Sequence, residues 1–247
     1  MNTDAPLKLQ PLGLAPLLGK RLRLERRAPQ HTDFIWQCRQ DRRFWELYRM
    51  TDNPNETPDQ IRTKLEEESQ LLPHQLRWLE WVIIRIDQNK PIGLAAVADY
   101  QPQHRRGEFL IGIVDPLEQK AGIGLEASLL VLDFSFNYLK LHKFMSFVYG
   151  YNQSSQQNTL QLGFVKEGHF REHMFIPEKG YIDLYQNGLL ESDFRNNPRL
   201  AKLSRRLLNN DVTQFPTEPE ILSADQLKSM EAQLKSFAIA QQKNDNS

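Results

Sequence analysis

The 247-residue chain has a single cysteine, no surplus of either charge and no long apolar run, and each shortage removes a class of explanation. One cysteine, Cys38, cannot make an internal disulfide, so a disulfide-stapled secreted scaffold is excluded. It reads as a core-facing residue of the first helix rather than a nucleophile. Lys and Arg number 31, as do Asp and Glu, which leaves none of the basic excess that nucleic acid or an anionic membrane calls for. No uninterrupted apolar run reaches the roughly 18 residues a membrane helix needs. The start, Met1-Asn2-Thr3-Asp4-Ala5-Pro6, lacks the basic-then-apolar order of a signal peptide. A cytoplasmic protein is expected, with no nucleic acid and no membrane among its partners. Hydrophobic residues make up 40% of the chain, enough for a core, and the length suits one large domain or one domain with an extension.

What is present instead is one informative junction. An apolar stretch (Phe109, Leu110, Ile111, Ile113, Val114) stops at Asp115-Pro116, passes through Gln119-Lys120-Ala121-Gly122-Ile123-Gly124 and opens into a long apolar helical run. A strand feeding a glycine turn into a helix N-terminus leaves several N–H groups pointing one way, and such a site binds anions. Gly122 and Gly124 carry no Cβ, so the backbone can approach a bulky phosphate and adopt positive φ. The spacing disfavours two nucleotide readings. No Lys-Ser or Lys-Thr follows Gly124, as a P-loop requires, and Ala127 stands where a dinucleotide fingerprint has its third glycine. Taken alone, the turn reads equally well as purely structural.

Residues 1–19 carry Pro and Leu without a period and read as an N-terminal arm. Leu22 and Leu24 alternate with Arg21, Arg23 and Glu25 in a first strand that Pro29 closes. Thr32 is expected to cap a helix bearing Phe34, Ile35, Cys38, Phe44, Trp45, Leu47 and Tyr48, broken near Asp41. Asn53-Pro54-Asn55 is a loop. Thr57 and Gln60 form a capping box with Pro58 at the first helical position, and the helix they open runs to about Leu72 with a thin apolar face. Residues 79–86 and 92–98 make a hairpin, and 108–114 a third antiparallel strand leading into the glycine turn. The helix 124–139 is apolar over most of its circumference and calls for burial against a sheet. With the following strand, 144–151, it reads as a βαβ crossover with parallel strands on either side of the site.

After that strand come Asn152, a short polar helix closing at Leu162-Gly163-Phe164, the run Val165 to Glu172, and Gly180-Tyr181-Ile182-Asp183-Leu184-Tyr185. In this order, from about residue 20 to 195, the series resembles the GNAT superfamily of N-acetyltransferases. It most resembles the branch that acetylates ribosomal-protein N-termini. The resemblance implies an α/β (α+β) fold: a mixed, mostly antiparallel central sheet with a parallel βαβ cofactor site and flanking helices. The corresponding division is an arm (1–19), an acetyltransferase domain (20–197) and a helical C-terminal extension (198–247). Acetyl-CoA is the implied co-substrate, with no metal, and the acceptor is a primary amine, either a protein N-terminus or a small molecule. In that family the Gln-x-x-Gly-x-Gly turn grips the coenzyme A diphosphate and an Asn after the next strand contacts the pantetheine arm. Carried over, the cofactor-binding residues are Gln119, Lys120, Ala121, Gly122, Ile123, Gly124 and Asn152. A backbone N–H at Ile113 or Val114, on a strand that splays from its parallel neighbour, is the implied oxyanion donor.

Transfer to an amine needs a proton acceptor, a donor to the carbonyl oxygen and, for the departing thiolate, an acid. Glu108 is the expected base, by likeness to an acid on the corresponding strand. Counted back from Asp115-Pro116 it stands one residue from the usual position, and a one-residue slip turns a side chain to the opposite face unless a bulge restores it. Asp99, Tyr100 and His104 are alternatives. Where the family has a tyrosine seven residues after the Asn, this chain has Thr159, whose hydroxyl is shorter and less acidic. Either Tyr149 or Tyr151 substitutes, or the thiolate leaves unassisted. Tyr181 and Asp183 match a Tyr-x-Asp element of the acceptor side. With Arg171 and Glu172 they bind a peptide N-terminus or serve as cross-strand partners. Trp36, Trp45, Trp78 and Trp81 pack a core or wall the acceptor cleft.

Beyond Asn196-Asn197-Pro198, Leu200, Leu203, Leu207 and Leu208 share a helical face. Residues 213–219 form a linker, and a capping box from Ser223 to Gln226 opens a helix with Leu227, Met230, Leu234 and Phe237 on one stripe. That stripe packs on its own domain, on a second copy in a homodimer, or on a partner protein. Two functions follow: an acetyl-CoA-dependent N-acetyltransferase, or a weakly active or inactive GNAT-fold binding module acting in regulation or assembly. Thr159 and the shifted Glu108 favour the module. The paired glycines and Asn152 favour the enzyme, because a chain with no use for coenzyme A has little physical reason to keep two positions without Cβ at a helix N-terminus.

Overall fold

The computed structural model describes residues 15–48, 56–69, 71–119 and 122–216. Its strands are β1 (Leu17–Leu18), β2 (Leu22–Arg26), β3 (Leu79–Arg85), β4 (Lys90–Gln101), β5 (Arg106–Ile113), β6 (Lys143–Tyr149), β7 (Val165–Ile176) and β8 (Gly180–Leu190). The helices are α1 (Thr32–Gln40), α2 (Arg42–Tyr48), α3 (Pro58–Ser69), α4 (Pro116–Gln119), α5 (Ile123–Asp133), α6 (Gln153–Gln161), α7 (Glu191–Arg195) and α8 (Pro198–Leu208). The strands form one sheet in the order β1-β2-β3-β4-β5-β6-β8-β7, antiparallel throughout except for β5 against β6. The mixed, mostly antiparallel sheet expected from the sequence is therefore present.

Strand alternation sends side chains to two separate cores. Leu79, Trp81 and Ile83 of β3, Val97 of β4 and Phe109 of β5 join Leu129, Val131 and Leu132 of α5 on one face. Val82, Ile84, Leu94, Ala96 and Leu110 meet Ile35, Cys38, Phe44 and Tyr48 of α1 and α2, and Ile61 and Leu65 of α3, on the other. Burial of each large apolar side chain is worth roughly 1.5–3 kcal/mol, so covering both faces is the main reason the sheet holds its register. Leu200 of α8 is buried in the α5 core, with Leu203, Leu207 and Leu208 packed against it.

Several boundaries differ from expectation for identifiable reasons. Thr32 does not cap α1: it is the first helical residue, His31 holds the cap position, and the Thr32 hydroxyl donates back to the Pro29 carbonyl at 2.7 Å. The α1–α2 break at Asp41 is present, with Asp41 extended at ψ 97° and its Oδ1 accepting the Phe44 N–H at 3.2 Å. The Thr57–Gln60 box forms as read, each side chain bonded to the other's backbone N–H. The single helix expected over 124–139 ends at Asp133 and continues as a π-helical turn, Phe134–Tyr138, closed by Leu139 N–H to the Phe134 carbonyl at 3.0 Å. The loop at 53–55, most of the N-terminal arm, Lys120, Ala121 and the helix opened at Ser223 lie outside the described residues.

Two features seat α2 on the sheet. A Cβ on Gly112 would lie 2.5 Å from Phe44 Cε2 and 3.0 Å from Tyr48 Cδ2, so glycine on β5 lets the stacked Phe44–Tyr48 pair approach the strand directly. Beneath α2, Tyr48 Oη donates to Glu80 Oε1 at 3.0 Å, and Glu80 Oε2 accepts from Arg27 Nη1 at 2.8 Å. Glu68 of α3 takes the other side of the same guanidinium. Burial opposes the Arg27 charge, but Glu80 and Glu68 outweigh it and hold its pKa above the usual arginine value. Burial raises the Tyr48 phenol well above its ordinary value, so it stays protonated and keeps donating. Gly112→Ala is expected to destabilise the fold by about 1–3 kcal/mol through overpacking against Phe44. Urea denaturation checks this, and an unchanged midpoint would remove the account of how α2 is seated.

Candidate active site

Strands β5 and β6 run together for only three pairs, Arg106–Lys143, Gly107–Phe144 and Glu108–Met145, and then part. Beyond that point β5 stays with β4 as far as Ile113, and β6 stays with β8 as far as Tyr149. The carbonyl just past the parting, Ser146, accepts Nδ2 of the fully buried Asn187 at 3.3 Å. Asn187 also exchanges two hydrogen bonds with Gln156 of α6 at 2.8 and 3.1 Å, so a side-chain network ties β6, β8 and α6 together behind the opening.

The wedge holds a cavity of about 50 Å³ lined by Leu47 and Tyr48 of α2, Phe109 to Ile111 of β5, Ser146 to Tyr149 of β6, and Asn152, Ser155 and Thr159 at α6. Helix α2 belongs to the α1–α3 core, whereas Leu162 and Phe164 just after α6 belong to the α5 core. The cavity therefore sits in the gap between the strands and is lined from both faces of the sheet, by Phe109 on one side and Tyr48 and Leu110 on the other.

Beyond the end of β5 comes the glycine turn at the start of α5. Gly122 has φ +69° and occupies the N-cap of α5, and the first intrahelical bond runs from the Glu126 N–H to the Gly122 carbonyl at 3.3 Å. The N–H groups of 123, 124 and 125 precede that bond, which leaves them directed out of the helix end. A Cβ at Gly122 would meet only Arg21 Nη2, at 3.9 Å, and one at Gly124 only Ile113 Cγ1, at 4.0 Å. Neither position is crowded, and the donor set suits a diphosphate. Arg21 reaches the same corner, with Nη2 bonded to the Gly122 carbonyl at 3.3 Å and Nε to the buried Glu126 at 2.9 Å. Gln119 turns its Nε2 onto the Ile113 carbonyl at 2.9 Å, bracing the end of β5. Lys120 and Ala121 lie outside the described residues.

The register separates the two oxyanion candidates. Val114 N–H donates to the Ile92 carbonyl at 2.9 Å and is spent in the ladder with β4. In an antiparallel pair the bonding side alternates, so the N–H groups of Ile111 and Ile113 face the other way, toward the parting from β6. The Gln119 bond to the Ile113 carbonyl shows that side directly.

Of the residues read as acid or base, Tyr149 and Thr159 line the cavity. Asn152 lines it too, with Oδ1 capping α6 through the Ser155 N–H at 3.1 Å. Tyr151 does not; it stacks on Tyr149 at 5.9 Å, and Lys179 Nζ lies 4.4 Å from its ring centre. Glu108 sits at the last β5–β6 pair, opposite Ala98 on the α1–α3 face, one step along the strand from Leu110 and outside the lining. Asp99, Tyr100 and His104 lie at the closed end of the wedge. Asp99 is paired with Arg77 at 2.7 Å, and Tyr100 is buried in the α5 core. Asp183 is engaged by His169 Nε2 at 2.7 Å and by the Glu172 N–H at 2.9 Å, while Tyr181 packs on Phe175. Asp183, Glu172 and Tyr181 are thus cross-strand partners within the β7–β8 hairpin. Trp81 is core, as the first of the two tryptophan readings has it.

The sequence reading missed Ser146, Ser155, Asn187 and the role of Arg21, and took Leu47 and Tyr48 only as parts of an apolar face. Gly112 was the available signal for the last two, because a glycine inside an apolar strand marks a close approach from another element.

A family model described as an acetyltransferase (GNAT) domain matches residues 21–165, more than half of the chain. The spermidine N(1)-acetyltransferase of Vibrio cholerae serotype O1 is 32% identical over 114 residues, covering 46% of this chain and 65% of that protein. The match thus spans just under two thirds of that relative's length. The crystal structure of spermidine N-acetyltransferase from Vibrio cholerae in complex with CoA and spermine is 27% identical with a TM-score of 0.62, covering 71% of this chain and 99% of that one. A dodecameric structure of spermidine N-acetyltransferase from Vibrio cholerae is 26% identical with a TM-score of 0.62, over 72% of this chain and 98% of that one. The superfamily expected from the sequence is found. The branch is corrected, since these relatives are named for spermidine and not for ribosomal-protein N-termini. Among the described residues no helix is long and apolar enough to cross a membrane.

Cys38 has no part in this site. It is fully buried between α1 and the sheet, and burial first, then the nearby Glu80 and Asp41 charges, push its thiol far above the usual range. A thiolate-specific reagent at pH 8 is expected to label it only in denaturant. Fast stoichiometric labelling of the native protein would contradict the placement.

Proposed function

The chain belongs to the GNAT acetyltransferase family, and from that premise we propose that it transfers the acetyl group of acetyl-CoA to a primary amine of a small cationic molecule. The observation that carries the reading is the parting of β5 from β6, which leaves a cavity lined from both faces of the sheet, with the glycine turn following at the end of β5. Acetyl-CoA supplies an acetyl thioester and a diphosphate. The N–H groups at the start of α5 and the Arg21 guanidinium bind the diphosphate, and Gly122 and Gly124 leave room for it. The β5 edge at Ile111 and Ile113 and the Asn152 side chain hold the pantetheine arm extended in the wedge. The Ile113 N–H, turned away from β4, donates to the carbonyl oxygen as negative charge develops there.

The amine enters from the α2 side, past Leu47 and Tyr48. Its nitrogen forms the new C–N bond as the C–S bond breaks, one amine proton leaves toward Glu108, and the thiolate takes a proton. Glu108 shares the α2 face with Leu110 but stands about 7 Å from it along the strand, so that proton passes through water. Tyr149 in the cavity wall is the phenol placed to protonate the sulfur, with the Thr159 hydroxyl as a second, weaker donor. A small amine is preferred over a protein N-terminus because the relatives named above are spermidine acetyltransferases.

Calorimetric titration is expected to show acetyl-CoA binding to the wild type and none to Gly122→Asp, where a carboxylate faces the diphosphate. Gly124→Asp, at a position without positive φ, controls for backbone strain, and wild-type affinity in both variants would end the site assignment. Tyr149→Phe is expected to lower kcat by roughly one to two orders of magnitude with little change in KM for acetyl-CoA, and Thr159→Val to have a smaller effect. A larger loss in the threonine variant would reverse the two roles.

A further inference from the structure

The amine-side mouth is bridged by charges that the transfer reaction does not use. Glu46 of α2 accepts Arg42 Nε on Oε1 at 2.8 Å and Lys179 Nζ on Oε2 at 2.9 Å. Lys179 belongs to the β7–β8 turn, and its neighbour Glu178 receives Arg42 Nη1 at 2.8 Å. The same Lys179 ammonium lies 4.4 Å from the centre of the Tyr151 ring, which is stacked parallel on Tyr149 at 5.9 Å. Tyr149 and Leu47, next to Glu46, both line the cavity. One carboxylate oxygen and one aromatic face therefore hold a primary ammonium beside the entrance, and that ammonium is supplied by the protein's own chain. All these groups are reachable by solvent: Lys179 is 40% exposed, Glu46 19% and Tyr151 38%.

We propose that Glu46 Oε2 and the Tyr151 ring form a subsite for a second ammonium group of the acceptor, and that Lys179 fills it as a stand-in until an acceptor arrives. The inference rests on the transfer reading above and narrows it to diamines and polyamines. A carboxylate beside an aromatic face favours a cation over a neutral group of equal size, and a monoamine has nothing to place there once its single nitrogen is at the thioester. Lys179 is a weak competitor, because an exposed ion pair and an exposed ring contact each contribute little. Arg42 stays on Oε1 throughout, which keeps Glu46 aimed while Oε2 changes partner.

The full-length protein loaded with CoA is titrated with 1,5-diaminopentane and, separately, with pentylamine, and the same amines are assayed as acceptors with acetyl-CoA. Lys179→Met keeps the bulk over Tyr151 but removes the competitor, and it is expected to tighten diamine binding and lower the diamine KM by about five- to tenfold. Glu46→Gln is expected to weaken diamine binding by a similar factor. Pentylamine should respond to neither change. Diamine affinity that does not move in either variant, or no diamine binding at all, overturns the subsite. If the variants shift diamine binding in opposite directions while no amine is acetylated, the transfer reading falls and the subsite stands. Acetylation of both amines without those shifts removes the subsite and leaves the transfer reading in place.

Discussion

The parting of β5 from β6 after the Glu108–Met145 pair is the constraint on which the rest of the site depends. A continuous parallel pair would consume the inner N–H and C=O groups of both strands and close the sheet. Parted strands leave one backbone edge available and open a gap lined from both faces of the sheet. The cost is a run of unladdered backbone next to the core, and it is met locally. Asn187 bonds the Ser146 carbonyl, Gln119 bonds the Ile113 carbonyl, and Asn152 caps α6 where β6 ends.

The two sides of the site are built by different physics. On the α5 side, the backbone does the work: a positive-φ glycine at the N-cap directs N–H groups outward, and missing Cβ atoms keep the corner clear. On the α2 side, side chains do it. The Arg27–Glu80–Tyr48 chain beneath α2 is almost wholly buried, and burying a charged pair is seldom a net gain in stability. Its effect is positional, since it fixes Tyr48 and hence one wall of the cavity. Around that wall, exposed ion pairs join α2 to the β7–β8 turn. Rigid buried charge sets the shape, and labile exposed charge covers the entrance.

Legibility in the sequence followed the range of the interactions. The Asp41 break, the Thr57–Gln60 box and the hairpin at Gln88–Pro91 depend on residues a few positions apart, and the structure contains all three. The failure at Thr32 was also local: the helix starts one residue earlier than a Thr32 cap requires, and the hydroxyl donates to the Pro29 carbonyl where a cap would accept a first-turn N–H. The π-turn at Phe134–Tyr138 left no local mark because it is held by a distant partner, Arg195, which bonds the Phe136 carbonyl and Asn137 Oδ1. Glu108 was weighed by counting along one strand, but its position relative to the slot is set by where β6 leaves, which no count along β5 contains.

By itself the sequence determined the order of elements, the glycine turn at the start of α5 and the family, because glycine placement, capping and strand alternation are encoded in neighbouring residues and act through the backbone. Only the tertiary structure decided which β5 amide faces the gap, that Arg21 reaches the glycine turn, and that Glu46, Lys179 and Tyr151 meet beside the cavity. Those three come from separate segments of the chain, and what joins them is the angle at which two strands diverge and the fit of a helix onto Gly112. Such geometry is a property of packed surfaces, and it leaves no periodic mark on the residues that create it.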